Sequence, residues 1–318
     1  MALKRPEELD FTNQKFSMII AGHPGIGKTT LSLSAPDVLL VDVDKGISRV
    51  SPQFRKDSLQ VASYEELLND IRTNDLSPYN TIAVDTGGSL FDLMIPYIIK
   101  QNAQNGQRDG TLSLKGYGAI AREFDRFNNE IKDLGKHIIW VFHAKEEKDG
   151  DTTKLRIDVA GSTKNDIWRY IDIGGFVEMV GKNRTIGFSN SERFYAKGVH
   201  GVSGTYTIPE VKTAEDNNFL TSLFNGMRDK IVSEQQENIQ ENTAYDKAMK
   251  TLDKIKLCKN EKHINAVVEI IKTQEHAATS ERELKHHLHA KATELGLKYN
   301  KESGQYEKQI IDNDINTK

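Results

Sequence analysis

A single cysteine, Cys258, stands among the 318 residues, so no disulfide can close within the chain and a reducing setting is expected. No stretch approaches the ~18 consecutive apolar residues that a membrane-spanning helix needs, and no charged-then-apolar leader is visible, which points to a cytoplasmic protein without a membrane partner. Charge of one sign is also missing: 43 Lys and Arg against 46 Asp and Glu leave a formal net charge of −3. Attraction of the whole molecule to a polyanion is thereby excluded, and any nucleic-acid contact has to come from a local basic patch. The length is enough for one large domain with an appendage, and for a core that needs no covalent staples.

What is present is concentrated near the start. A largely apolar run over residues 16–21 turns into Gly22-His23-Pro24-Gly25-Ile26-Gly27-Lys28-Thr29-Thr30 and then into a helix-forming segment. This fits the phosphate-binding pattern G-x-x-x-x-G-K-[ST], with the strand before it and the helix after it that the pattern requires. The three glycines permit backbone angles and close approaches that a Cβ would block, so successive N–H groups can converge on phosphate oxygens. Lys28 supplies a point charge for the β- and γ-phosphates, and the Thr29 hydroxyl a ligand for Mg²⁺. Thr30 fits a packing or capping role. The expected cofactors are ATP and Mg²⁺.

Three further apolar runs end in polar residues. Residues 38–43 lead into Asp42 and Asp44, which in a strand would share one face. Residues 81–85 end in Asp85, followed by Thr86, and residues 137–143 end in His143. In a parallel sheet these ends lie beside the P-loop. Asp85 is then the carboxylate that orders Mg²⁺, Asp44 faces the γ-phosphate, and His143 is a candidate sensor of that phosphate.

Residues 100–118, polar and Gly-rich, read as a functional loop, and residues 120–134 as an amphipathic helix. Residues 145–166 are charged, with hairpin-like alternation over residues 154–159. Short strands over residues 171–180, 184–189 and 193–197 lack intervening helices, so an α/β fold is predicted whose sheet begins parallel and finishes antiparallel. The expected organisation is a flexible arm over residues 1–15, an ATPase domain over 16–230, a polar linker over 231–243, and a three-helix appendage over 244–318. His286, His287 and His289 have no accompanying acidic or cysteine pattern and do not read as a metal site.

Taken together, the P-loop, residues 40–44, residues 81–86 and residues 138–143 resemble the core of RecA-type recombinases. Lys115-Gly-Tyr-Gly118, Phe142-His-Ala-Lys-Glu-Glu147 and Gly161-Ser-Thr-Lys-Asn165 are similar to phage-encoded ATP-binding proteins with a shortened RecA core, some linked to single-strand annealing. The resemblance covers roughly residues 15–210. It implies a RecA-like P-loop core, ATP hydrolysis with Asp44 as the acid that activates water and His143 as the sensor, and a homo-oligomer in which Lys197, with Arg193 near it, meets the ATP of a neighbouring subunit. It also implies single-stranded DNA held by the segments after the third and fourth strands, with Lys115, Tyr117, Lys145, Lys154 and Arg156 as candidates. This sequence has Asp44 where the family has glutamate, and His143 where it has glutamine, departures that suggest slow turnover or a need for a partner.

Two other readings compete. A small-molecule kinase calls for an Arg-rich lid over the phosphates, which the sequence does not display. A nucleotide-dependent switch or loader acting on single-strand-binding or other replication proteins through the helical tail fits the same motifs.

Overall fold

The computed structural model describes residues 8–308 except Ser162. The chain forms two compact units, one of Asp10–Ile231 and one of the described residues from Val232 onward together with Glu8 and Leu9.

The first unit is built on a sheet of β1 (Ser17–Gly22), β2 (Val38–Asp42), β3 (Ser58–Leu59), β4 (Thr81–Asp85), β5 (His137–Asp149), β7 (Ile173–Val180), β8 (Asn183–Gly187) and β9 (Thr205–Thr207). Their spatial order is β3-β2-β4-β5-β1-β7-β8-β9, while β6 (Thr152–Ile157) pairs with the outer half of β5. Strands β3 to β7 in that order are parallel, and β8 and β9 add antiparallel. The expected α/β architecture, parallel and then antiparallel, is therefore what the chain forms.

Every residue of β1, β2 and β4 is buried, because helices cover both faces and a two-sided strand has no polar side. Alternate side chains separate into two cores. Ile19, Val84, Trp140 and Phe142 pack with α2 (Tyr64–Thr73), α3 (Gly87–Gln101) and α4 (Leu114–Asp133). Met18, Ile20, Leu40 and Val141 pack with Leu31 of α1 (Lys28–Ser32) and with Leu220 and Phe224 at the start of α6 (Phe219–Met249). At the head of α2, Glu66 N donates to Ser63 Oγ at 3.1 Å, and Ala62 N, one residue before the cap, donates to Glu66 Oε2 at 2.7 Å, so the two side chains together close the helix start.

The structure refines the reading of four segments. Residues 1–7 of the arm lie outside the described residues; within residues 10–15, Thr12 N donates to Asp10 Oδ1 at 2.9 Å and Gln14 N to Phe11 O at 3.0 Å. Residues 100–118 are not a long loop. Helix α3 runs to Gln101, Asn105 Nδ2 donates back to Ile98 O at 3.0 Å, and Ser113 Oγ accepts from Gly116 N at 3.1 Å to start α4 early. Residues 145–166 fold as the β5–β6 hairpin that the alternation over residues 154–159 predicts, followed by the short α5 (Thr163–Asp166), with Glu147 opposite Lys154 across the strands.

The fourth segment, residues 231–243, expected as a polar linker, is helical within α6. Their Glu, Gln and Ile are good or tolerable helix formers, so a lack of apolar periodicity did not mean a lack of helix. In the second unit α7 (Thr251–Lys256), α8 (Glu261–Thr273) and α9 (Ser280–Glu294) bury Ile255, Ile264, Val268, Leu284 and Leu288 together. An unforeseen hairpin, β10 (Leu297–Asn300) with β11 (Gln305–Lys308), adds Tyr306 to this core. Residues 309–318 of the expected appendage lie outside the described residues. Among the described residues no helix is long and apolar enough to cross a membrane.

Candidate nucleotide site

Parallel pairing sets Gly22 beside His143, Asp42 beside Asp85, and Asp85 beside Val141. The acidic strand ends and the histidine are thus brought to the carboxyl edge of the sheet, where β1 gives way to its loop. Gly25 and Gly27 have φ of 79° and 87°, the left-handed region that only glycine enters freely, and α1 begins at the next residue.

Lys28 is 5 % exposed. Its Nζ donates to His23 O at 2.8 Å and lies 3.4 Å from His143 Nδ1. Burial draws its pKa down from 10.5 to about 8, with the nearby Asp85 charge acting the other way. A bound polyphosphate favours the charged ammonium. Nucleotide affinity should therefore be flat below pH 8 and weaken by up to about tenfold per pH unit above it, because binding then requires uptake of a proton. The unliganded protein should respond in the opposite sense: between about pH 8 and 10.5 the folded lysine is neutral while the unfolded one still holds its proton, so stability rises with pH. Titrations with ADP at pH 7 and pH 9.5 check the first effect, and a pH-independent affinity would contradict it.

The Thr29 hydroxyl donates directly to Asp85 Oδ2. Burial pushes the Asp85 carboxyl up, against the Thr29 hydrogen bond and the Lys28 charge, while Asp44 and Asp42 reinforce the rise. A hydroxyl and a carboxylate that face each other beside a desolvated ammonium form a hard-oxygen pair suited to Mg²⁺ next to phosphate. Thr29 and Asp85 are the residues that would hold the ion, which supplies neutralisation of phosphate charge.

The two aspartates of the second strand have separate tasks. β2 ends at Asp42, whose carboxylate accepts from Gly46 N at 2.6 Å and Ile47 N at 3.1 Å and so closes the turn. Asp44 lies beyond the strand, where its Oδ2 accepts from Thr86 Oγ1 at 2.9 Å. Thr86, which also caps α3, is thus the orienting partner of Asp44. His143 has its pKa lowered by burial and by the Lys28 charge, against Asp44 and Asp158. Besides Lys28 it borders a cavity of about 340 Å³ that Thr86, Asp92, Lys145 and Asp158 also line.

A family model for the AAA domain matches residues 14–200, a span that takes in the P-loop and all three strand ends. The chain belongs to the AAA domain family. A search of the curated proteins found no match. Among solved structures, a crystal structure of the RadB recombinase is similar at 16 % identity, with 54 % of this chain and 79 % of that chain covered and a TM-score of 0.35.

Other predicted site residues of this AAA domain lie apart from the P-loop or are already engaged. Lys197 bridges to Gly174, which pairs with Ile19 rather than with the end of β1, and its Nζ donates to Ile171 O. Arg193 pairs with Glu178 at 3.0 Å. Lys145 pairs with Asp158 at 2.9 Å, and Lys154 and Arg156 stand on β6 opposite Glu147 and Lys145. Lys115 and Tyr117 fall in the first turn of α4. Lys115 is exposed, with Nζ 2.6 Å from Gln104 Oε1. Tyr117 is half-buried, its ring so close to Gly161 that a Cβ there would lie 2.4 Å from Cε1. One residue the sequence reading did not single out does reach the loop: Arg184 of β8 rests against Gly27. Only strand register places it there, and no local motif announces it.

Proposed function

We propose that the chain is a Mg²⁺-dependent ATPase of phage-type DNA recombination or replication, with a RecA-like core that binds single-stranded DNA as an oligomer. One observation carries the ATPase reading: Lys28, Thr29, Asp85, Asp44 and His143 come from four segments of the chain and converge on one loop through linked contacts. In the proposed chemistry the Asp44 carboxylate takes the proton of the attacking water, Thr86 holds that carboxylate, and neutral His143 relays the state of the γ-phosphate side of the site. The DNA and oligomer parts rest on the sequence resemblance. Steady-state ATPase activity with and without a long single strand tests the whole, since a strand-binding ATPase has to show stimulation or a nucleotide-dependent change in strand affinity.

The engagement of Lys145, Lys164 and Arg193 in ion pairs favours one alternative, a nucleotide-dependent switch whose partner is a replication protein. ATP hydrolysis without any strand binding at low salt would select it.

Tyr117 separates stacking from packing. Its fit over Gly161 leads us to expect that Tyr117→Ala lowers stability by about 1–3 kcal/mol, below the ~3–5 kcal/mol of a fully buried aromatic because the ring is only half-buried. Strand affinity per folded molecule should persist. Weaker strand binding at every salt concentration, with an unchanged melting temperature, would instead assign the ring to a base.

A further inference from the structure

β8 lies two strands from β1, across β7, and Arg184 near its start pairs with Met179. The neighbouring register pair is Thr185 with Glu178, so Glu178 belongs to the opposite face of the ribbon, where Arg193 takes it. Arg184 is left without a hydrogen-bond or ion-pair partner for its side chain among the described residues, although it is partly buried. Its guanidinium turns onto the P-loop. A methyl group at Gly27 would fall 2.1 Å from Nη1 and 3.4 Å from Cζ, so the fork occupies the space that the missing side chain leaves, one residue before Lys28.

A guanidinium that has given up part of its hydration and gained no carboxylate is an unusual thing to place on a surface strand, since partial burial of an unpaired charge is unfavourable. Its position against the glycine of a phosphate-binding loop supplies a reason. We propose that Arg184 is a second phosphate ligand of the nucleotide site, acting within the same chain whose P-loop it touches, with nucleoside di- and triphosphates as its ligand class. This rests on the reading of the P-loop as a nucleotide site. It adds a cation of a different kind: Lys28 is a compact ammonium from the head of α1, whereas Arg184 brings a planar fork from the antiparallel strands, able to form two parallel bonds to one phosphate. Burial lowers the Arg184 pKa without neutralising it, so the charge is present throughout the physiological range. Charge neutralisation at the phosphates would then not depend wholly on a cation from a neighbouring subunit.

The test needs binding and not turnover. Fluorescently labelled ADP and ATP are titrated into wild-type protein, Arg184→Ala and Arg184→Lys, with melting temperatures recorded for each. The expected result is a loss of about 10- to 100-fold in affinity for both nucleotides in Arg184→Ala, as befits a charge-assisted bond, with a shallower dependence of affinity on salt. Arg184→Lys, which keeps the charge but not the fork, should recover only part of the loss. A folded Arg184→Ala protein that binds both nucleotides within twofold of wild type overturns the inference while leaving the P-loop reading intact. If the alanine variant fails to fold, Arg184→Gln takes its place under the same criterion. Wild-type protein that binds neither nucleotide overturns the P-loop reading and this inference with it.

Discussion

Lys28→Ala is expected to weaken ATP binding by about 10- to 100-fold, the worth of one charge-assisted hydrogen bond of about 1.5–3 kcal/mol, and to reduce hydrolysis to background. The larger effect on turnover follows because the ammonium faces phosphates whose charge shifts during the reaction, and interactions that strengthen in the transition state act on rate beyond affinity. The fold should survive. In the unliganded protein Nζ donates to one carbonyl, His23 O, and burial disfavours its charge, so removing it relieves as much as it costs. Circular dichroism and melting temperature would report an intact protein alongside a calorimetric titration with affinity lowered by that factor. Wild-type turnover in this variant would remove the P-loop from the chemistry altogether.

Asp44→Asn is expected to separate binding from chemistry. The amide is nearly isosteric and keeps an oxygen to accept the Thr86 hydroxyl, which lies 2.9 Å from Oδ2 in the native site, so local geometry should hold. What it loses is the ability to take a proton. Removal of a positioned general base typically lowers a rate by about 10²–10⁴-fold, so turnover should fall by that range while the Kd for ATP stays within a few-fold. Single-turnover assays at saturating ATP are the measurement. Turnover close to wild type would move the base elsewhere, with His143 an alternative in the same site. Asp42→Asn has a different expected signature, because both Asp42 oxygens accept backbone N–H groups of the turn that follows β2, and its effect should fall on stability first.

The parts of this site that were legible in the sequence share a physical cause. Strands buried on both faces are forced to be largely apolar, so a polar residue after such a run marks the edge of the buried core: Asp85 ends β4, and His143 lies where β5 leaves its pairing with β1, although β5 itself continues to Asp149. The P-loop was legible because its glycines and Lys28 have spacings that few other structures require. Asp42 and Asp44 were harder. Read as one strand they share a face, yet β2 ends at Asp42 and only the contact with Thr86, itself beyond another strand, gives Asp44 its direction.

Polarity misled where it was taken for irregularity. Asn105 and Ser113 sit in residues 100–118 as caps and turn-closers, not as loop filler, and the polar segment after Ile231 is a solvated helix. The β10–β11 hairpin was hidden by its shortness. Arg184 was hidden for a different reason: nothing adjacent to it in the chain differs from an ordinary strand residue, and its meaning depends on β7 and β8 being in register beside β1.

The position of β1 also bears on how the protein is made. It precedes the other strands of its sheet in the chain, yet its two neighbours, β5 and β7, begin at residues 137 and 173. Pairings of such long sequence separation form slowly, and domains emerging from the ribosome expose unpaired edges until their partners arrive. The P-loop is therefore translated long before it has walls. A nascent chain halted before residue 173 holds a largely apolar strand with an open edge, and its P-loop has neither β7 nor Arg184 beside it.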